Sequence, residues 1–202
     1  GAGYEAAIAR LRAVAALTGR MPQAESVITA LNHQLQACGS QLQQPQKTVL
    51  MMGGSTFNRL INRYAVETDS GTLGSVLRQL TRFPWHKPDS TRGEAGLTYL
   101  SLQQIAAVNA DVILVQSYPP ISQPLSEQLA TDKLWQQLRA VKAQQIYEVN
   151  PFWHWGNGTR LIRTMLDQLL PLIYPDCFAA AIASPSTAPS YGPNPVESTD
   201  DR

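Results

Sequence analysis

Thr48-Val49-Leu50-Met51-Met52-Gly53-Gly54 is an apolar run closed by two glycines, and Asp111-Val112-Ile113-Leu114-Val115-Gln116 repeats the pattern further along the chain. Runs of this length without polar alternation belong to strands buried on both faces, as in a parallel sheet covered by helices. Gln145-Ile146-Tyr147-Glu148-Val149 is a shorter third run. Helical spacing appears between and after them, at 71–82, 101–109, 125–139 and from about Asn157 to Leu170. In the last of these, Leu161, Ile162, Met165, Leu166, Leu169 and Leu170 share one face. Ser101 with Gln104 three residues on has the form of a capping box, which marks the start of the second helix. Strands alternating with helices predict an α/β fold: a three-layer α/β/α, Rossmann-like lobe with a parallel sheet.

Upstream of the first run the pattern is helical only. Residues 4–18 carry Ile8, Leu11, Val14 and Ala15 on one stripe, and Gly19 ends it. Pro22 suits the first turn of a second helix, along which Ala24, Val27, Ile28, Leu31, Leu35, Cys38 and Leu42 recur, with Gly39 as a point where the regular part can stop early. Such a helix spans roughly 30 Å, more than a small lobe needs. Downstream, residues 183–202 combine four prolines with Ser, Thr and Asp and little to bury, which predicts a mobile tail.

Composition limits the function. The chain has 202 residues, 44% hydrophobic and 15% charged, with a formal net charge of +1. It can bury a sizeable core but offers no global field for a polyanion, so nucleic acid is excluded as a partner. No run of eighteen apolar residues and no export signal is visible. The chain opens Gly1-Ala2-Gly3 without Met and reads as a processed or excised piece. Cys38 and Cys177 are too few for a disulfide scaffold or a zinc cluster; they pair or stand as buried free thiols.

In open α/β sheets ligands collect at the carboxyl ends of the strands. Three segments leave from there: Gly53-Gly54-Ser55-Thr56-Phe57-Asn58-Arg59, Ser117-Tyr118-Pro119-Pro120, and Asn150-Pro151-Phe152-Trp153-His154-Trp155-Gly156. Four consecutive rings cannot all point inward from a loop, so the third segment is expected to form a recognition surface. Arg160, in the first turn of the last helix, opposes the macrodipole, a placement that an anionic partner would stabilise and that solvent also tolerates. Arg92 lies in a long polar loop, Asp89-Ser90-Thr91-Arg92-Gly93-Glu94, with the same two readings.

These segments in this order resemble a family. Thr18-Gly19-Arg20, Gln23-Ala24-Glu25, the strand into Gly53-Gly54, Tyr99-Leu100-Ser101-Leu102-Gln103-Gln104-Ile105-Ala106, Ala110 to Val115, and Leu134-Trp135-Gln136-Gln137-Leu138-Arg139-Ala140-Val141-Lys142 together resemble the carboxyl-terminal half of substrate-binding proteins of iron-siderophore and cobalamin ABC importers. The segment Phe152–Arg160 is most similar to cyanobacterial ferric-siderophore members. The resemblance implies that residues 1–21 end an absent amino-terminal lobe, that 22–46 form a long bridging helix and linker, that 47–182 are the ligand-binding lobe and that 183–202 are the tail.

The resemblance also implies a monomeric, periplasmic protein, free or lipid-anchored, that captures a ferric siderophore and delivers it to a membrane permease. Because the iron of such a complex is already coordinated, neither a metal ligand nor a cofactor is expected of the protein. Trp153 and Trp155 would supply aromatic walls, Tyr118 a ring and a hydroxyl, and Arg160 and Arg92 charge-assisted donors. His154 and Ser55 complete the expected ligand set by loop position. Family members usually dock through an exposed glutamate in the helix after the first strand. Here that helix reads Gly71-Thr72-Leu73-Gly74-Ser75-Val76-Leu77 with no acid, leaving Glu67 or Asp69 as substitutes.

Other readings carry less. Ser55 with His86, His154 and an Asp suggests a hydrolase triad, but the G-x-S-x-G elbow is missing, so no catalytic residue is assigned. No phosphate-cradling glycine motif surrounds Gly53-Gly54. His33, His86 and His154 have no metal-ligand spacing for a bare ion. Haem or cobalamin remain alternative ligands, and a protein partner an alternative use of the aromatic loop.

Overall fold

The structure, a computed structural model, describes residues 3–42, 46–54, 60–86, 96–117, 123–150 and 158–182. Two helices come first, α1 (Tyr4–Thr18) and α2 (Met21–Gln41). Gly19 separates them in the left-handed conformation that its missing Cβ permits, with φ 68°. Then follow β1 (Val49–Gly53), β2 (Tyr64–Glu67), α3 (Thr72–Leu80), β3 (Leu97–Leu100), α4 (Leu102–Val108) and β4 (Val112–Gln116). Three short helices, α5 (Leu125–Gln128), α6 (Lys133–Gln137) and α7 (Arg139–Lys142), lead to β5 (Ile146–Val149). The described chain closes with α8 (Thr159–Ile173) and α9 (Pro175–Ile182).

The strands form one sheet in the order β3-β2-β1-β4-β5. β1 pairs parallel with β4 from Val49↔Val112 to Gly53↔Gln116, and β4 pairs parallel with β5. β2 is antiparallel to both its neighbours, so it alone runs against the other four. The expected α/β class stands, with one reversed strand in an otherwise parallel sheet. Every residue of β1 and of β4 is buried, as their unbroken apolar runs require. Helices α1, α2, α3 and α8 pack on one another in one layer, and α4, α6 and α7 in another.

Two details differ from the sequence reading. β2 and β3 are additional strands; β2 is a four-residue segment, all of it buried, between β1 and β3. The helix expected over 125–139 is three short ones, because the Asp132 Oδ1 accepts the Leu134 and Trp135 N–H groups at 2.8 and 3.0 Å and starts a new helix there. Leu138, extended at ψ 140°, breaks the run again. These breaks let Leu125, Leu129, Trp135, Leu138 and Ala140 all turn inward, where each is buried. As the stripe from Ala24 to Leu42 predicts, α2 continues through Gly39 to Gln41.

The capping box of α4 is formed in both directions: Ser101 Oγ accepts the Gln104 N–H at 3.3 Å, and Gln104 Oε1 accepts the Ser101 N–H at 2.8 Å. The apolar stripe of α8 is buried along its length. Burying each such side chain contributes about 1.5–3 kcal/mol over leaving it exposed. Helix α1 is fastened to this same body, since Ala7, Ile8 and Ala15 are buried and the Tyr4 N–H donates to Ser75 Oγ of α3 at 2.8 Å. Cys38 is buried and Cys177 half-buried, both as free thiols. Burial, followed by the nearby Asp167 carboxylate, pushes the Cys38 thiol above its ordinary range. No helix among the described residues is long and apolar enough to cross a membrane.

Candidate functional site

The carboxyl edge of the sheet gathers Gly54 after β1, Ser117 after β4 and Asn150 after β5, together with Tyr64 at the start of the reversed β2. Gly54 fits because β1 and β4 converge there. Its N–H donates to Gln116 O at 2.9 Å, and a Cβ would stand 2.9 Å from Ser117 Oγ and 3.1 Å from Val115 Cγ1. The first two candidate ligand loops therefore leave the sheet side by side. The Ser117 N–H donates to Val149 O at 3.1 Å and brings the third beside them.

A cavity of about 310 Å³ opens here, lined by Ser117, Glu148, Val149 and Asn150 from the strand ends and by Gln168, Leu169 and Leu172 from α8. Glu148 is the charged group of its wall. Its carboxylate accepts the Ser117 hydroxyl on Oε2, and the Ser126 N–H and hydroxyl on Oε1 at 3.1 and 2.6 Å.

Arg160 lies exposed in the first turn of α8. Its guanidinium has no hydrogen-bond partner among the described residues. Gly158 caps this helix without a side-chain bond and no acid occupies the first turn, so the arginine adds to the positive end of the macrodipole. Beside it runs a groove of about 480 Å³ between α8 and α2, with Arg163 and Gln34 on its walls. Asp167 draws two of these groups together, accepting Gln34 Nε2 on Oδ1 at 2.6 Å and facing Arg163 Nε with Oδ2 at 3.8 Å.

Of the residues the sequence nominates, Arg160 is described. Ser55, Arg92, Tyr118, Trp153, His154 and Trp155 lie outside the described residues. Glu148, Ser126 and Gln168 are what the sequence reading missed, while Asn150 opens the third segment it named. The signal for Glu148 was present: in a strand of period 2 it is the acid between two apolar neighbours, facing away from them.

One of the two substitute docking acids is corrected by its surroundings. Glu67 is 3% exposed, and its Oε1 accepts the Leu73 and Gly74 N–H groups at 3.1 Å each, so it caps α3 from inside the protein. Asp69 is partly exposed and pairs with His86 Nδ1 at 2.7 Å. Among the described residues no three His, Cys, Asp or Glu side chains converge as metal ligands.

A mostly parallel sheet flanked by helices, with a cavity at its carboxyl edge, is an open α/β lobe of the kind that holds ligands at its strand ends. The chain belongs to the periplasmic binding protein family, whose model matches residues 4–151. This is a family of binding proteins, not enzymes. The chain is 36% identical over 101 residues to the achromobactin-binding periplasmic protein of Dickeya dadantii, a match that covers 48% of this chain and 32% of that protein. Its fold is similar to that of the Fe3+–Desferal-bound siderophore-binding protein of Vibrio cholerae, with TM-score 0.66 and 18% identity, covering 84% of this chain and 61% of the other. It is likewise similar to the triscatecholate siderophore-binding protein of Bacillus subtilis complexed with ferri-bacillibactin, with TM-score 0.58 and 18% identity over 79% of this chain and 56% of the other. The chain thus spans about a third of that curated relative and less than two thirds of these solved chains.

Proposed function

We propose that this chain supplies the carboxyl-terminal lobe of a two-lobed, non-enzymatic solute-binding protein that captures a ferric siderophore for an ABC importer. The observation that carries the reading is the convergence of the strand ends of β1, β4 and β5 on one edge, from which the three candidate ligand loops depart. Named relatives bind achromobactin, Fe3+–Desferal and ferri-bacillibactin, which supports the ligand class.

In this reading Trp153 and Trp155 wall the complex, Tyr118, His154, Ser55 and Arg92 contribute from the neighbouring loops, and Arg160 meets negative oxygens with a charge-assisted donor. The iron stays with its chelator, and the protein supplies shape, aromatic surface and charge. The periplasm, with or without a lipid anchor, is the compartment, and a membrane permease the partner. The exposed apolar corner of Val14, Leu17, Met21 and Val27, with Leu17 89% exposed, is the surface on which the amino-terminal lobe would rest.

Tryptophan fluorescence tests the loop assignment in the gene product expressed from its natural start. Ferri-bacillibactin and Fe3+–Desferal are titrated against haem and cobalamin. Saturable quenching by a ferric siderophore that Trp153→Ala and Trp155→Ala each weaken is the expected outcome. Quenching unchanged in both variants removes the aromatic loop from the site, and a response to haem or cobalamin alone replaces the ligand class.

A further inference from the structure

Glu148 brings a third element, α5, to two strands that the backbone ladder already pairs, β4 and β5. It lies on β5, opposite in direction to Tyr147 and Val149. Ser117 stands just past β4, and Ser126 in the first turn of α5. Both ends of the 117–126 stretch are therefore tied to one carboxylate on a third segment. The bond also serves the start of the helix. Its N-cap is Pro124, which makes no side-chain cap, so the Ser126 N–H is satisfied from β5. Three donors on two carboxylate oxygens leave the side chain a single orientation, although the residue is exposed.

Ser117 and Glu148 are also wall residues of the cavity at the carboxyl edge, beside Asn150 and Gln168. Resting on the function proposed above, we infer that Glu148 is a positioning residue of the ligand site. By fastening the start of α5 to the paired ends of β4 and β5, it fixes the wall against which the bound complex lies. A site held loosely at this point loses affinity without losing its fold.

The test uses the gene product expressed from its natural start, with Glu148→Ala and Glu148→Gln. Three quantities are read: amide exchange at Ser126, the thermal midpoint, and affinity for Fe3+–Desferal and ferri-bacillibactin. Alanine is expected to speed exchange at Ser126 and weaken the tighter complex by about tenfold, with the thermal midpoint held. Glutamine keeps an acceptor for Ser126, and the Ser117 hydroxyl can turn to accept from its amide, so it recovers most of both losses. Alanine that frees Ser126 yet binds as the wild type overturns the positioning role. Wild-type protein that binds neither complex, while alanine still frees Ser126, overturns the functional reading and leaves the staple as a feature of the fold.

Discussion

Asp111 shows how one side chain can be read from the sequence in type but not in role. It opens the second apolar run, which located β4, yet nothing in the run indicates what the carboxylate does. In the structure its Oδ2 accepts the Thr48 N–H at 2.8 Å and its Oδ1 meets Arg139 Nη1 at 2.5 Å, tying the amino ends of β1 and β4 to α7. Burial pushes this carboxyl up, but the Thr48 N–H, Arg139 and Arg82 outweigh it and hold it below the ordinary aspartate value. The folded protein thus prefers the ionised form more than the unfolded chain does. The stabilisation is complete above the ordinary value of about 3.9 and fades as pH falls through the lower folded value. Unfolding measured from neutral to acid pH should show the wild type losing more stability below pH ~4 than Asp111→Asn. Parallel curves would contradict the role given to this carboxylate. Glu67 teaches the same lesson: the acid is visible in the sequence, but its burial under α3 depends on a strand that the sequence pattern did not disclose.

Elements with a strong period were legible, and short ones were not. α1, α8, β1 and β4 each carry an apolar pattern long enough to exclude the alternative, and the capping box located α4. β2 and β3 have four residues each, too few for alternation to stand out, and they exist because β1 offers β2 an edge and β2 offers one to β3. The division of 125–139 was hidden because Asp132 looks like an ordinary polar position until its side chain is seen capping α6. The end of α8 depends on a further tertiary contact. The Tyr174 hydroxyl donates to Leu80 O at 3.0 Å and accepts the Lys47 N–H at 3.0 Å, while Lys47 Nζ donates to Ile173 O at 2.8 Å. One phenol therefore links the ends of α8 and α3 to the approach to β1. Tyr174→Phe keeps the ring and leaves the Leu80 carbonyl without this donor and the Lys47 N–H without this acceptor. It should lower the free energy of unfolding by about 1–3 kcal/mol in denaturant titration. A change within error would remove this link from the account.

At the scale of the whole molecule the described residues form one α/β body with a cavity at its carboxyl edge. The class of the fold was readable from the alternation of buried runs and helices, and so was the edge at which the proposed site lies. The detailed constellation was not, since Glu148, Ser117 and Ser126 meet only once β5 is docked beside β4 and α5. Charge tells a similar story: a net charge of +1 does not locate Arg160 beside a helix end that lacks a side-chain cap. The central claim is that this edge captures an iron complex with the iron still held by its chelator. Isothermal calorimetry of the gene product expressed from its natural start compares ferric siderophore, the same siderophore without iron, and ferric ion held by citrate. The account predicts saturable binding of the ferric siderophore, weaker binding of the iron-free form, and no transfer of bare iron to the protein. Binding of iron without its chelator, or of none of the siderophores offered, would contradict it.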